Sequence, residues 1–165
     1  MGKTLATMLT MTTFGTWLRG DARGWVDDGV IRPPHVGLEE ADRKKMRYPP
    51  FLFSSNELLA VGQFIGESLT ARLKQRIYGL TVQIWHVHLV VGASSESLST
   101  VVKCAKDAVR WGLRVNQPIW TKGYDKRYCF DEQSVRRRIE YVERHNIDLG
   151  LSARPWPFIE LPKFG

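Results

Sequence analysis

Cysteine is nearly absent from this chain. Cys104 and Cys129 are the only two, too few for a disulfide scaffold or a thiolate metal cluster. A reducing interior compartment is the simplest expectation. Long apolar runs are absent as well, and none approaches the roughly 20 residues of a membrane-spanning helix. The opening "MGKTLATMLTMTTF" carries one lysine, and threonines break its apolar residues. That spacing fits a first strand better than a secretory leader. Negative charge is in deficit: 17 acidic residues face 24 lysines and arginines, a net charge of +7. Such a balance favours a polyanionic partner, although many ordinary proteins are equally basic. Histidine is scarce, with four in 165 residues. The length suits one domain, or one domain with an insertion.

Residues 4–14 read as a first strand. The segment from 15 to 50 holds glycines without sustained periodicity and reads as an insertion with one short helical turn. Trp17 and Trp25 argue against disorder there, because each ring needs something to pack on. A helix capped by Ser55 or Asn56 follows, with Leu58, Leu59, Phe64, Ile65, Leu69 and Leu73 at helical spacing. Ile77 to Gly92 reads as one or two strands. Ser95 or Ser97 opens a second helix that runs to about Leu113. Residues 115–130 resemble an edge strand with a turn, and Asp131 caps a third helix ending before Gly150. The boundaries are a domain over 1–150 and a tail over 151–165 that packs as an extended strap. This order predicts an α+β fold, a sheet covered by helices.

The sharpest feature is "QIWHVHLVVG", residues 83–92. A strand alternates faces, so His86 and His88 stand side by side while Val87, Leu89 and Val91 turn into the core. An isolated H-x-H is common on ordinary surfaces, but the third helix adds to it. In "RRRIEYVERHN", Tyr141 and His145 lie one helical turn apart on one face. Val135, Ile139 and Val142 form a separate apolar stripe that can dock the helix. Two imidazoles from a strand and one from a helix make a three-ligand metal site with room for water or substrate. All-histidine ligation suits zinc or manganese better than magnesium, although phosphate oxygens from a substrate change that preference. A free phenol has a pKa of about 10 and needs activation to act as a nucleophile. A metal beside Tyr141 would supply it, with a phosphodiester as the target.

Basic residues supply the rest of the expected interface. Lys103, Lys106, Arg110 and Arg114 are spaced to share one face of the second helix, as a phosphate track or a plain solvated stripe. Arg137 and Arg138 lie beside Tyr141. In the insertion, "WLRGDARGW" offers Arg19, Arg23, Trp17 and Trp25 for phosphates and unpaired bases. Its RGD tripeptide reads as chance.

Together these residues resemble the single-tyrosine HUH transposases, in which U is a hydrophobic residue. His86-Val87-His88 matches the HUH element, Tyr141 the nucleophile, and His145 the polar ligand one turn further on. In that family the last position is often glutamine or asparagine, and histidine is a competent replacement. "MTTFGTWLRGDARGWVD" is similar to the N-terminal region of REP-associated tyrosine transposases. The resemblance covers most of residues 4–147. It implies a ferredoxin-like (RRM-like) antiparallel sheet, a divalent ion such as Mg2+ or Mn2+, and single-stranded DNA bearing hairpins or palindromic repeats. It also implies a 5′-phosphotyrosyl intermediate with a free 3′-OH, and a cytoplasmic, nucleoid-associated setting in a bacterium. Members of the wider family are monomers or homodimers, and the sequence does not choose. The rival readings are a non-catalytic nucleic-acid-binding module, a small metal-dependent phosphoesterase, and a rolling-circle initiator or relaxase.

Overall fold

The structure is a computed structural model that describes residues 2–164. In chain order the elements are β1 (Ala6–Thr12), β2 (Trp25–Asp27), β3 (Val30–Arg32), α1 (Val36–Lys45), α2 (Leu58–Leu73), β4 (Ile77–Val82), β5 (His86–Gly92), α3 (Leu98–Leu113), β6 (Asp125–Cys129) and α4 (Glu132–Asp148). Four strands form an antiparallel sheet in the order β4-β5-β1-β6. With α2 and α3 as crossovers, this is the β-α-β-β-α-β arrangement of ferredoxin-like folds.

Alternating side chains give the sheet two unlike faces. Leu9 and Met11 of β1, with Val87, Leu89 and Val91 of β5, enter the larger apolar cluster. There they meet Val61, Ile65 and Leu69 of α2 and Val102, Ala105 and Val109 of α3. Ala6, Met8 and Val90 turn the other way and meet Val135, Ile139 and Val142 of α4. Each full burial of such an aliphatic side chain is worth about 1.5–3 kcal/mol. α4 is thus held by a short apolar stripe, and the rest of its inward face is free for polar groups.

The 15–50 segment is more ordered than its composition suggests. β2 and β3 pair as a hairpin that turns at Asp28-Gly29, with φ of 49° and 77°. Asp-Gly is a strong signal for such a turn. α1 buries no residue, so it has no apolar stripe for a periodicity argument to detect. His35 caps it, its Nδ1 accepting from the Leu38 N–H at 3.0 Å. Gly20 has a φ of 84°, and a Cβ there would collide with the His35 carbonyl oxygen. Gly20 therefore lets the loop close on the start of α1.

The tail is tied into the fold. Trp156 is buried and donates from Nε1 to the Leu59 carbonyl at 2.9 Å. Its ring fills the space left by Gly62, and the Phe158 ring lies on Gly66. Asn146 of α4 donates to the carbonyls of Leu80 at 2.9 Å and Ala153 at 3.0 Å, which joins α4, β4 and the tail. Among the described residues, no helix is long and apolar enough to cross a membrane.

Candidate metal and nucleophile site

β5 and α4 bring the four residues expected to act together. The Asp131 carboxylate accepts from the Ser134 N–H at 2.7 Å and starts α4. The apolar stripe then fixes the helix rotation, leaving Tyr141 and His145 beside the strand histidines. Ring centroids are 4.7 Å apart for His86–His88, 5.6 Å for His88–His145, 5.4 Å for His88–Tyr141 and 4.4 Å for Tyr141–His145. One ligand atom from each histidine lies within 4.8 Å of the others. Tyr141 stays 42% exposed, so a large substrate can reach it.

Hydrogen bonds set the imidazoles. His145 Nδ1 lies 2.8 Å from the Tyr141 carbonyl oxygen. A carbonyl only accepts, so Nδ1 carries the hydrogen and Nε2 is the nitrogen left for a metal. His88 Nδ1 bonds the Thr10 hydroxyl at 2.8 Å, from the residue opposite it in the β1–β5 register. His86 Nδ1 is buried without a hydrogen-bond partner. Burial pushes the His86 pKa down to about 4, helped by the charges of His145 and Arg23. Burial likewise pushes His88 down to about 3, helped by His86, His145 and Arg138. Both are neutral at pH 7, the form that donates a lone pair to a metal. A buried nitrogen without a partner, two neutral imidazoles and a third imidazole converging on them fit a divalent ion.

The fold is similar to that of a REP-associated tyrosine transposase. That structure, solved with the protein bound to a REP hairpin, matches with a TM-score of 0.52 and 11% identity, over 96% of this chain and 78% of the other. A proposed transposase from Deinococcus radiodurans R1 matches with a TM-score of 0.44 and 17% identity, over 87% of this chain and 92% of the other. At these identities the likeness concerns the fold. No family model matches the sequence, and no curated protein does.

The remaining expected residues fall into three groups. Arg138 is half-buried, one turn before Tyr141, and Arg137 beside it is exposed. In the insertion, Trp17 packs on Trp85 at 5.6 Å, and Trp85 packs on His86 at 4.2 Å. The Arg23 guanidinium sits 3.9 Å from the Trp17 centroid and 4.9 Å from that of Trp85. Arg19 is taken up by Asp42, and Trp25 Nε1 donates to the Pro33 carbonyl within the insertion.

The α3 residues lie across the sheet from the histidines, because α3 packs on the Val87–Leu89–Val91 face. Lys103 pairs with Asp107 at 2.6 Å. Lys106 is not a solvent-facing track residue: its ammonium donates to the carbonyls of Thr121 at 2.9 Å and Gly123 at 2.7 Å, and burial lowers its pKa. Arg110 is exposed. Arg114 leaves the shared face, because it is the left-handed cap of α3 with φ of 53°. A cleft of about 360 Å³ remains, lined by Lys103, Lys106, Arg110, Lys122 and Tyr124.

Thr10, which bonds His88, and Asp21, which holds the Arg23 guanidinium, are neighbours that reading the sequence did not single out. Thr10 acts through a cross-strand register, and Asp21 through a loop closure. Neither leaves a signal in local spacing.

Proposed function

We propose that this chain is a metal-dependent single-stranded DNA endonuclease and strand transferase of the transposase type. It acts near hairpins through a 5′-phosphotyrosine. One observation carries this reading: Tyr141 stands in ring contact with His88 and His145 within a cluster of three histidines. A metal-hydrolase site does not need a phenol there, and a plain binding surface does not need three converging imidazoles. The fold likeness to a transposase bound to a REP hairpin supports hairpin-bearing DNA as the substrate class.

His86, His88 and His145 would hold the ion, Mg2+ or Mn2+, and Thr10 fixes the His88 ring. A bound ion supplies Lewis-acid polarisation of the scissile phosphate and favours the phenolate. The Tyr141 oxygen attacks phosphorus and the bond to the 3′ oxygen breaks. The phenol proton is balanced by the proton gained by the new 3′-OH. The phosphotyrosyl ester retains the energy of the broken phosphodiester, so a second 3′-OH can reverse the step on another strand. Arg137 and Arg138, on the turns before Tyr141, are placed to attract the incoming backbone.

The test uses labelled single-stranded oligonucleotides bearing hairpins, incubated with Mn2+ or Mg2+ and run on a denaturing gel. A covalent protein–DNA band is expected, lost in both Tyr141→Phe and His88→Ala. Cleavage that survives Tyr141→Phe would point to metal-activated water. Tight hairpin binding with no cleavage would point to a non-catalytic module.

A further inference from the structure

The insertion sends one cationic side chain, Arg23, onto Trp85, the ring that packs on His86. Asp21 is buried. Its Oδ1 accepts from Arg23 Nε at 2.8 Å and its Oδ2 from Nη2 at 2.7 Å, a bidentate fork. The same Oδ1 accepts from the Arg23 backbone N–H at 2.8 Å. Nη2 also donates to the Thr16 carbonyl at 2.7 Å. The guanidinium lies over Trp17 and beside Trp85, and Trp85 touches His86. Thr13, one residue past β1, anchors this wall by donating to the Trp85 carbonyl at 3.1 Å.

A guanidinium has five N–H groups. Nε and Nη2 are spent on Asp21 and Thr16, while Nη1 has no partner among the described residues. Nearly half of the side chain is exposed. A purely structural arginine needs no free donor pair one ring away from a cluster of three histidines. Asp21 cancels much of the charge, so the contribution is aim rather than attraction. Donors fixed in advance stabilise charge that develops in a transition state without reorganising.

We propose that Arg23 is a phosphate-binding residue of this site, its Nη1 hydrogens donating to a non-bridging oxygen of the phosphodiester attacked by Tyr141. Asp21, Trp17 and Trp85 are positioning residues that hold the guanidinium. This rests on the phosphodiester reading above. It gives the 15–50 segment a part in the chemistry, in addition to any part in recognising DNA. Lysine cannot substitute, because it lacks the planar fork that Asp21 and the two indoles grip.

The experiment compares wild type, Arg23→Lys, Arg23→Gln and Asp21→Asn as full chains, each checked by thermal melting. Calorimetry first measures Mn2+ alone, then inorganic phosphate in the presence of Mn2+. Single-turnover adduct formation on a hairpin oligonucleotide follows. Arg23→Lys and Arg23→Gln are expected to bind Mn2+ as wild type does, but to bind phosphate at least 10-fold more weakly. Adduct formation should slow by about 100-fold, with a smaller change in oligonucleotide affinity. Asp21→Asn should fall between. Wild-type phosphate affinity in both Arg23 variants would overturn the proposal, as would absence of Mn2+-dependent phosphate binding in wild type. If wild type forms no adduct but its phosphate binding depends on Arg23, the tyrosine chemistry falls and the arginine assignment stands.

Discussion

Under α2 and α3 the sheet presents Leu9, Met11, Leu80, Val87, Leu89 and Val91 to a closed apolar layer. Under α4 it presents Met8 and Val90 to a small apolar cluster, then Thr10, His88 and His86 to the candidate site. β5 serves both layers by alternation. The larger layer stabilises the sheet enough that the smaller one can bury two neutral imidazoles and leave His86 Nδ1 without a partner. Burying such a group costs about 1–3 kcal/mol, and the apolar face opposite can offset it. Core and candidate site are thus separated by one residue along a strand.

That separation can be broken from either side. The largest effect is expected for Tyr141→Phe, which should reduce adduct formation by at least about 10³-fold, while Mn2+ affinity and melting stay near wild type. Next is His88→Ala. It should weaken Mn2+ binding by more than the roughly 10–100-fold that loss of a supporting partner costs, as read by calorimetry. Leu89→Ala, one residue on, should do the reverse. It should lose about 2–5 kcal/mol in denaturant unfolding, and whatever remains folded should bind Mn2+ normally. Equal effects of His88→Ala and Leu89→Ala on both readouts would dissolve the distinction between the faces. Thr10→Val should sharpen it, weakening Mn2+ binding by roughly 10-fold through loss of the His88 hydrogen bond, at little cost in stability. Smallest is Arg110→Ala on the far side of the sheet. It should lower the salt dependence of DNA binding by about one unit of slope and leave the rate of adduct formation unchanged.

What could be read from the sequence follows the same division. β1, β5, α3 and α4 announce themselves, because each carries a periodic apolar stripe and the last two begin at side-chain caps, Ser97 and Asp131. The histidine cluster and Tyr141 were legible because strand and helix periods place them by arithmetic. α2 begins past the expected Ser55 or Asn56 cap, at Glu57, which makes no side-chain cap bond. The insertion was less legible, since α1 buries nothing and β2 and β3 are three residues each. The Asp28-Gly29 turn was its one local signal. Lys106 and Arg114 looked like track residues by spacing. Spacing cannot show that a lysine has two carbonyls to bind; Arg114 lies one residue past the expected and observed helix end at Leu113. The contacts of Thr10 with His88, and of Arg23 with Asp21 and Trp85, arise from register and loop closure.

The decisive observation is where a nucleotide becomes attached. The full chain, Mn2+ and a hairpin-bearing oligonucleotide are incubated, digested with protease and nuclease, and analysed by peptide mass spectrometry. A nucleotide 5′-phosphate carried by the peptide containing Tyr141, with a matching 3′-OH fragment, is the predicted result. Cut DNA with no modified peptide, or a modification on another residue, would contradict the tyrosine mechanism.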